Sequence, residues 1–175
     1  METVLMLGDS LIEWGDWETL LPGYGVLNRG IAGETTAGLA ARLGYEIERV
    51  DDPERVFILS GTNDLLMGDS TFPEIFATML PRLKMCYPGA DIIISGLAPM
   101  SMLMKEVEEV NGRLARVAQE SGCRYLDLAD AFQLHCRPVG NPCFQFDNVH
   151  FSPHGYRILA AALENMLKTD PGGPR

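Results

Sequence analysis

Basic charge is scarce in this sequence. Its 14 lysines and arginines stand against 24 aspartates and glutamates, a formal net charge of -10. That argues against a nucleic-acid partner, which requires a basic face, and against electrostatic docking on anionic membranes. Long apolar runs are missing as well. None approaches the roughly 20 residues of a membrane-spanning helix, so no membrane insertion is expected. Histidine occurs only at His135, His150 and His154. Three scattered histidines leave no clustered His/Asp set for a metal-dependent hydrolase, and neither a metal nor an organic cofactor is expected. No serine stands in Gly-x-Ser-x-Gly, which excludes the strand-to-helix elbow of the α/β-hydrolases. Cys86, Cys123, Cys136 and Cys143 form no Cys-x-x-Cys pair, and free thiols are the expectation. Met1-Glu2-Thr3 places an acidic residue where a signal peptide carries basic ones, and the apolar run behind it is short. The expected location is therefore the cytoplasm.

What is present is an alternation of strand and helix signals. Thr3–Leu7, Tyr24–Asn28, Arg55–Ser60, Ala90–Ser95 and Arg124–Leu126 read as strands, several of them without a polar side chain at their centre. Thr36–Val50 carries Leu39, Leu43 and Ile47 at fourfold spacing and reads as a helix. Thr71–Cys86 is a second helical stretch, which Pro81 should kink or end. Lys105–Glu120 turns Val107, Val110, Leu114 and Val117 inward, and Ser152–Lys168 begins with Pro153 at its first position. Apolar strands separated by helices imply a parallel sheet covered on both faces, an α/β chain in three α/β/α layers with about five strands. The 175 residues suit one domain, 1–169, followed by the Pro/Gly-rich tail Asp170–Arg175.

Four segments carry the chemistry. Gly8-Asp9-Ser10-Leu11 follows the apolar run Val4–Leu7, which places Ser10 where a strand ends and open α/β folds hold ligands. The others are Asn28-Arg29-Gly30, Gly61-Thr62-Asn63-Asp64 and Asp147-Asn148-Val149-His150. In this order they resemble the blocks of the GDSL esterases and lipases, in the branch called SGNH hydrolases. The Gly30 block, Asn-Arg-Gly-Ile-Ala-Gly-Glu-Thr-Thr, is similar to bacterial relatives of the platelet-activating-factor acetylhydrolase subgroup. Phe151 departs from the leucine that more often follows the family's histidine. The resemblance runs from Val4 to about Leu167 and implies a flavodoxin-like strand order, 2-1-3-4-5.

The resemblance implies Ser10 as nucleophile, His150 as base and Asp147 as the carboxylate that orients it. A serine hydroxyl is weak until a neighbour takes its proton, and a carboxylate three residues before an imidazole can fix its tautomer. The oxyanion hole is expected from the backbone N–H of Ser10, the backbone N–H of Gly30 and the side chain of Asn63. A glycine at position 30 would let substrate approach the backbone closely. His154 is read as a partly exposed neighbour of the site, and His135 as a loop residue without a partner. Trp14, Met100, Met102, Phe146 and Val149 are candidate substrate contacts, and Met100–Met104 a candidate flap. The expected substrate is a small acyl ester. A thioester, a lysophospholipid or a sugar O-acetyl ester would use the same groups, and an inactive scaffold is the non-enzymatic alternative.

Overall fold

The computed structural model describes residues 1–136 and 142–169; the tail at 170–175 lies outside the described residues. The run Val4–Leu7 forms the middle of β1 (Glu2–Gly8), where all four side chains are shut off from solvent. Burial on both faces is what a strand with no polar side chain demands. Four further strands, β2 (Tyr24–Gly30), β3 (Arg55–Leu59), β4 (Asp91–Ser95) and β5 (Arg124–Leu126), complete a parallel sheet in the order β2-β1-β3-β4-β5. This is the expected α/β architecture and strand order. β3 and β4 are as apolar as β1 (Phe57, Ile58, Ile93 and Ile94 have no exposed surface), whereas the edge strand β2 is half-buried along its whole length.

The register sets the site. Gly8 stands opposite Gly30 on one side and opposite Leu59 on the other. The three segments that follow β1, β2 and β3 therefore leave the sheet at one level, along its carboxyl edge.

Helices cover both faces, as right-handed crossovers between parallel strands require. On one face α3 (Thr36–Ile47) packs against α5 (Pro73–Cys86), and α5 against α6 (Met104–Glu120). On the other, α7 (Leu128–His135) packs against α8 (Pro153–Leu167), and α2 (Trp17–Leu20) reaches α8. The short helices α1 (Ser10–Glu13) and α4 (Thr62–Leu66) follow β1 and β3 directly.

Three expectations need correction. Pro81 neither ends nor divides α5, which runs unbroken to Cys86. Pro81 and Ala77, whose carbonyl the proline leaves without its N–H, both lie on the exposed side, so water can serve that carbonyl. Phe76, Met79, Leu80 and Leu83 meanwhile anchor the inner side. His135 is not in a loop but is the last residue of α7. Cys136 and Cys143 are not free thiols: they are buried and joined in a disulfide, with their Cα atoms 5.7 Å apart. Phe132 on α7 packs at 5.5 Å on Phe144 and 5.0 Å on Phe151, which brings the two cysteine-bearing segments together. Cys86 and Cys123 are free, as expected.

Candidate active site

Asp9 ends the strand and caps α1, its Oδ1 accepting from Leu11 N at 2.9 Å. Ser10 is thereby the first residue of α1, where a backbone N–H has no acceptor within the helix. From the far end of the chain a tight turn meets it. Asn148 takes a positive φ of 57°, which folds the turn so that Asp147 Oδ1 accepts from both Val149 N and His150 N at 2.9 Å. The other oxygen, Oδ2, lies 2.6 Å from His150 Nδ1, and His150 Nε2 lies 3.0 Å from Ser10 Oγ. Desolvation raises the Asp147 pKa, but the bonds from His150 and the two backbone N–H groups outweigh it and hold the carboxyl at about 2. It is an anion at any ordinary pH, and an anion at Nδ1 leaves Nε2 to face the serine as an acceptor.

The turn is clasped at its base. Gln145 N donates to His150 O at 2.7 Å and Ser152 N to Cys143 O at 2.9 Å, and Phe144 bridges antiparallel to Phe151. The disulfide ties this clasp to the end of α7. On the exposed side the Trp14 indole stacks on the His150 imidazole, with centroids 4.4 Å apart and planes inclined by 29°.

The expected oxyanion donors converge on the same edge in unequal states. Asn63 is the second residue of α4, whose preceding Gly61 has φ 123° with Phe72 packed where a side chain would stand. Asn63 Nδ2 donates one hydrogen to Glu34 O at 2.9 Å, and a carboxamide has a second. The Gly30 N–H donates to Asn28 Oδ1 at 3.0 Å, so it is already engaged. The same Asn28 side chain donates to Ile12 O at 3.0 Å and Glu13 O at 3.1 Å, fastening the end of α1 to β2. The need for glycine at position 30 comes from this contact: a Cβ there would stand 2.2 Å from Glu13 N. The close neighbour is the backbone of α1, a reason the sequence did not disclose.

Of the candidate substrate contacts, Trp14 lies against the imidazole and Phe146 is fully exposed beside Asp147. Met102 is exposed in the 3-10 turn Ser101–Leu103. Met100 is in the core, and Val149 packs partly against it. Trp17 is core as well, its Nε1 donating to Ile12 O at 2.8 Å. A cavity of about 710 Å³ lies beside the site, walled by Trp14, Leu20, Phe151, Tyr156, Arg157 and Ala160. His154 is half-buried, and its Nδ1 faces Arg157 at 3.5 Å.

Two features were missed in the sequence. Asp9 is buried with Oδ2 unpartnered, and burial, partly offset by the Leu11 N–H and the nearby His150, raises its pKa to about 7. Trp14 stands against the His150 imidazole itself. A tryptophan four residues past a candidate nucleophile was visible, but not the ring it would meet.

A profile of the GDSL-like Lipase/Acylhydrolase family matches residues 6–158. The chain is 24% identical over 177 residues to platelet-activating factor acetylhydrolase IB subunit alpha2 of Rattus norvegicus, covering 94% of this chain and 75% of that one. It is 25% identical over 174 residues to the alpha1 subunit of Bos taurus, covering 94% and 74%. Its backbone superimposes on an acetylxylan esterase from Geobacillus stearothermophilus with a TM-score of 0.81 at 19% identity, covering 99% of this chain and 97% of that one. This last is a likeness of fold.

Proposed function

This chain belongs to the GDSL-like lipase/acylhydrolase family and is a carboxylic ester hydrolase; from that premise we propose that it opens small acyl esters through an acyl-enzyme. Ser10 is the nucleophile, His150 the general base and Asp147 the carboxylate that orients it. Ser10 Oγ attacks the ester carbonyl carbon while its proton passes to His150 Nε2. The carbonyl oxygen, now an anion, takes hydrogen bonds from Ser10 N–H and the second Nδ2 hydrogen of Asn63. The tetrahedral adduct collapses, the bond to the alcohol oxygen breaks, and Nε2 returns the proton to the leaving alcohol. Water then attacks the acyl-serine with the same base, releasing the acid and restoring Ser10. Gly30 joins the oxyanion hole once its N–H exchanges Asn28 Oδ1 for the oxyanion.

The observation that carries this reading is the relay Ser10 Oγ to His150 Nε2 at 3.0 Å and His150 Nδ1 to Asp147 Oδ2 at 2.6 Å, assembled from residues 140 apart. Preorganised donors of this kind contribute about 3 kcal/mol each to lowering the barrier. The names of the curated relatives, acetylhydrolases, support a short acyl group. A fluorophosphonate probe should label Ser10 and leave Ser10→Ala unlabelled. Ser10→Ala and His150→Ala should lose hydrolysis to similar extents, because members of one catalytic unit are not additive, while His154→Ala stays near wild type. A Ser10→Ala protein that keeps more than a few per cent of the wild-type rate, or an essential His154, would remove the assignment.

A further inference from the structure

One guanidinium ties together the backbone on both sides of the expected oxyanion hole. Arg42 on α3 is largely buried, its side chain 14% exposed. Nε and NH2 donate to the two oxygens of Glu34 at 2.6 and 2.7 Å, NH1 donates to Glu46 Oε1 at 2.8 Å, and NH2 donates also to Arg29 O at 2.7 Å. A planar fork with five N–H donors can serve such partners together; a lysine ammonium cannot. Arg29 O lies one residue before Gly30. Glu34 is clamped by its side chain, and its own carbonyl receives Asn63 Nδ2 at 2.9 Å. The same loop is gripped from the nucleophile helix, where Glu13 Oε2 accepts from Ala32 N at 2.9 Å. It is also joined to α4, where Asp64 Oδ2 accepts from Thr36 N at 2.9 Å and Thr36 Oγ1 at 3.1 Å.

We propose that Arg42 is a positioning residue for Asn63: by fixing Glu34 it fixes the carbonyl that aims the Asn63 carboxamide, and with it the Nδ2 hydrogen left for the oxyanion. The proposal rests on the reading of Asn63 as an oxyanion donor. A purely structural ion pair would explain the burial, but it would not require the clamped residue to hold Asn63 by its backbone. A donor displaced by about 1 Å loses most of its effect on the transition state while leaving ground-state binding nearly intact.

The test measures kcat, KM and thermal unfolding with 4-nitrophenyl acetate for Arg42→Lys, Glu34→Gln and Asn63→Ala, and for Arg42→Lys and Glu34→Gln each combined with Asn63→Ala. Asn63→Ala should lower kcat about a hundredfold. Arg42→Lys should lower it about tenfold or more, with KM within about twofold. In the Asn63→Ala background the Arg42→Lys change should cost less than about twofold, because the group it positions is gone. Glu34→Gln, which keeps the shape and the carbonyl, should show the same pattern at smaller size, and it carries the cycle if Arg42→Lys does not fold. Equal losses from Arg42→Lys in both backgrounds would overturn the clamp and leave a structural ion pair. So would an impaired Asn63→Ala beside an Arg42→Lys protein with wild-type kcat. Wild-type turnover by Asn63→Ala would instead remove the oxyanion reading and the clamp with it.

Discussion

Asp9 pays a cost for standing next to Ser10, the proposed nucleophile. One oxygen caps α1 and the other has no partner in a site only 1% exposed. Burial raises its pKa from 3.8 to about 7. Between those values the unfolded chain has released a proton that the folded chain keeps, so the unfolded state binds fewer protons and stability falls as pH rises through the window. Below it there is no penalty; above about pH 7 the penalty is complete, on the order of 4 kcal/mol at 1.36 kcal/mol per unit. Asp9→Asn can still cap the helix and does not ionise. Its stability relative to wild type should therefore rise between pH 4.5 and pH 8, as read by denaturant unfolding at both values. A difference independent of pH would show that Asp9 is ionised at no cost. At this scale the sequence was informative about which residues meet and silent about their state. Ser10, His150 and Asp147 come together as their segments suggested. That Asp9 is buried half-unpartnered, that Asn28 holds the Gly30 N–H and that Trp14 covers the imidazole are consequences of tertiary placement that no local pattern encodes.

Elements were legible in proportion to their length. The apolar strands and the long helices repeat a period often enough to be recognised, and the strand order followed from the family resemblance. α1, α2 and α4 are four or five residues long, too short to display a helical period, and two of them carry Ser10 and Asn63. The disulfide was hidden for a related reason: a separation of 7 residues belongs to no cysteine pattern, and only the packing of Phe132 on Phe144 and Phe151 shows why the two sulfurs meet. The bond closes a short loop, for which chain entropy gives about 2–3 kcal/mol. Reduction should therefore lower the melting temperature by about 5–10 °C. Cys136→Ala should melt lower than oxidised wild type and show no further response to reductant, since the remaining cysteines are unpaired. Scans with and without a phosphine reductant make the comparison, and a wild-type melting point that ignores the reductant would mean the pair is not oxidised in solution.

Over the whole molecule the net charge of -10 acts on whatever approaches the site. The carboxylate in contact with His150 has that same sign, while Arg157 stands in the wall of the neighbouring cavity. Asp147 is held ionised, and the Arg42 guanidinium is committed to two carboxylates, Glu34 and Glu46, which leaves it no surplus positive field. An ester with an anionic leaving group meets repulsion on approach, a cationic one meets attraction, and a neutral one meets neither. Added salt shortens the range of all these forces, to about 10 Å at 0.1 M and about 3 Å at 1 M. The kcat/KM for an anionic acetyl ester should accordingly rise as salt is added, that for a cationic one should fall, and that for 4-nitrophenyl acetate should stay level. The kcat values should change little, because screening acts on encounter and not on the contacts at 2.6 and 3.0 Å proposed to carry the proton. Three esters measured across one salt series decide the matter. Parallel responses from all three would place the effect of salt on the folded chain itself and not on the approach of charge to its acidic surface.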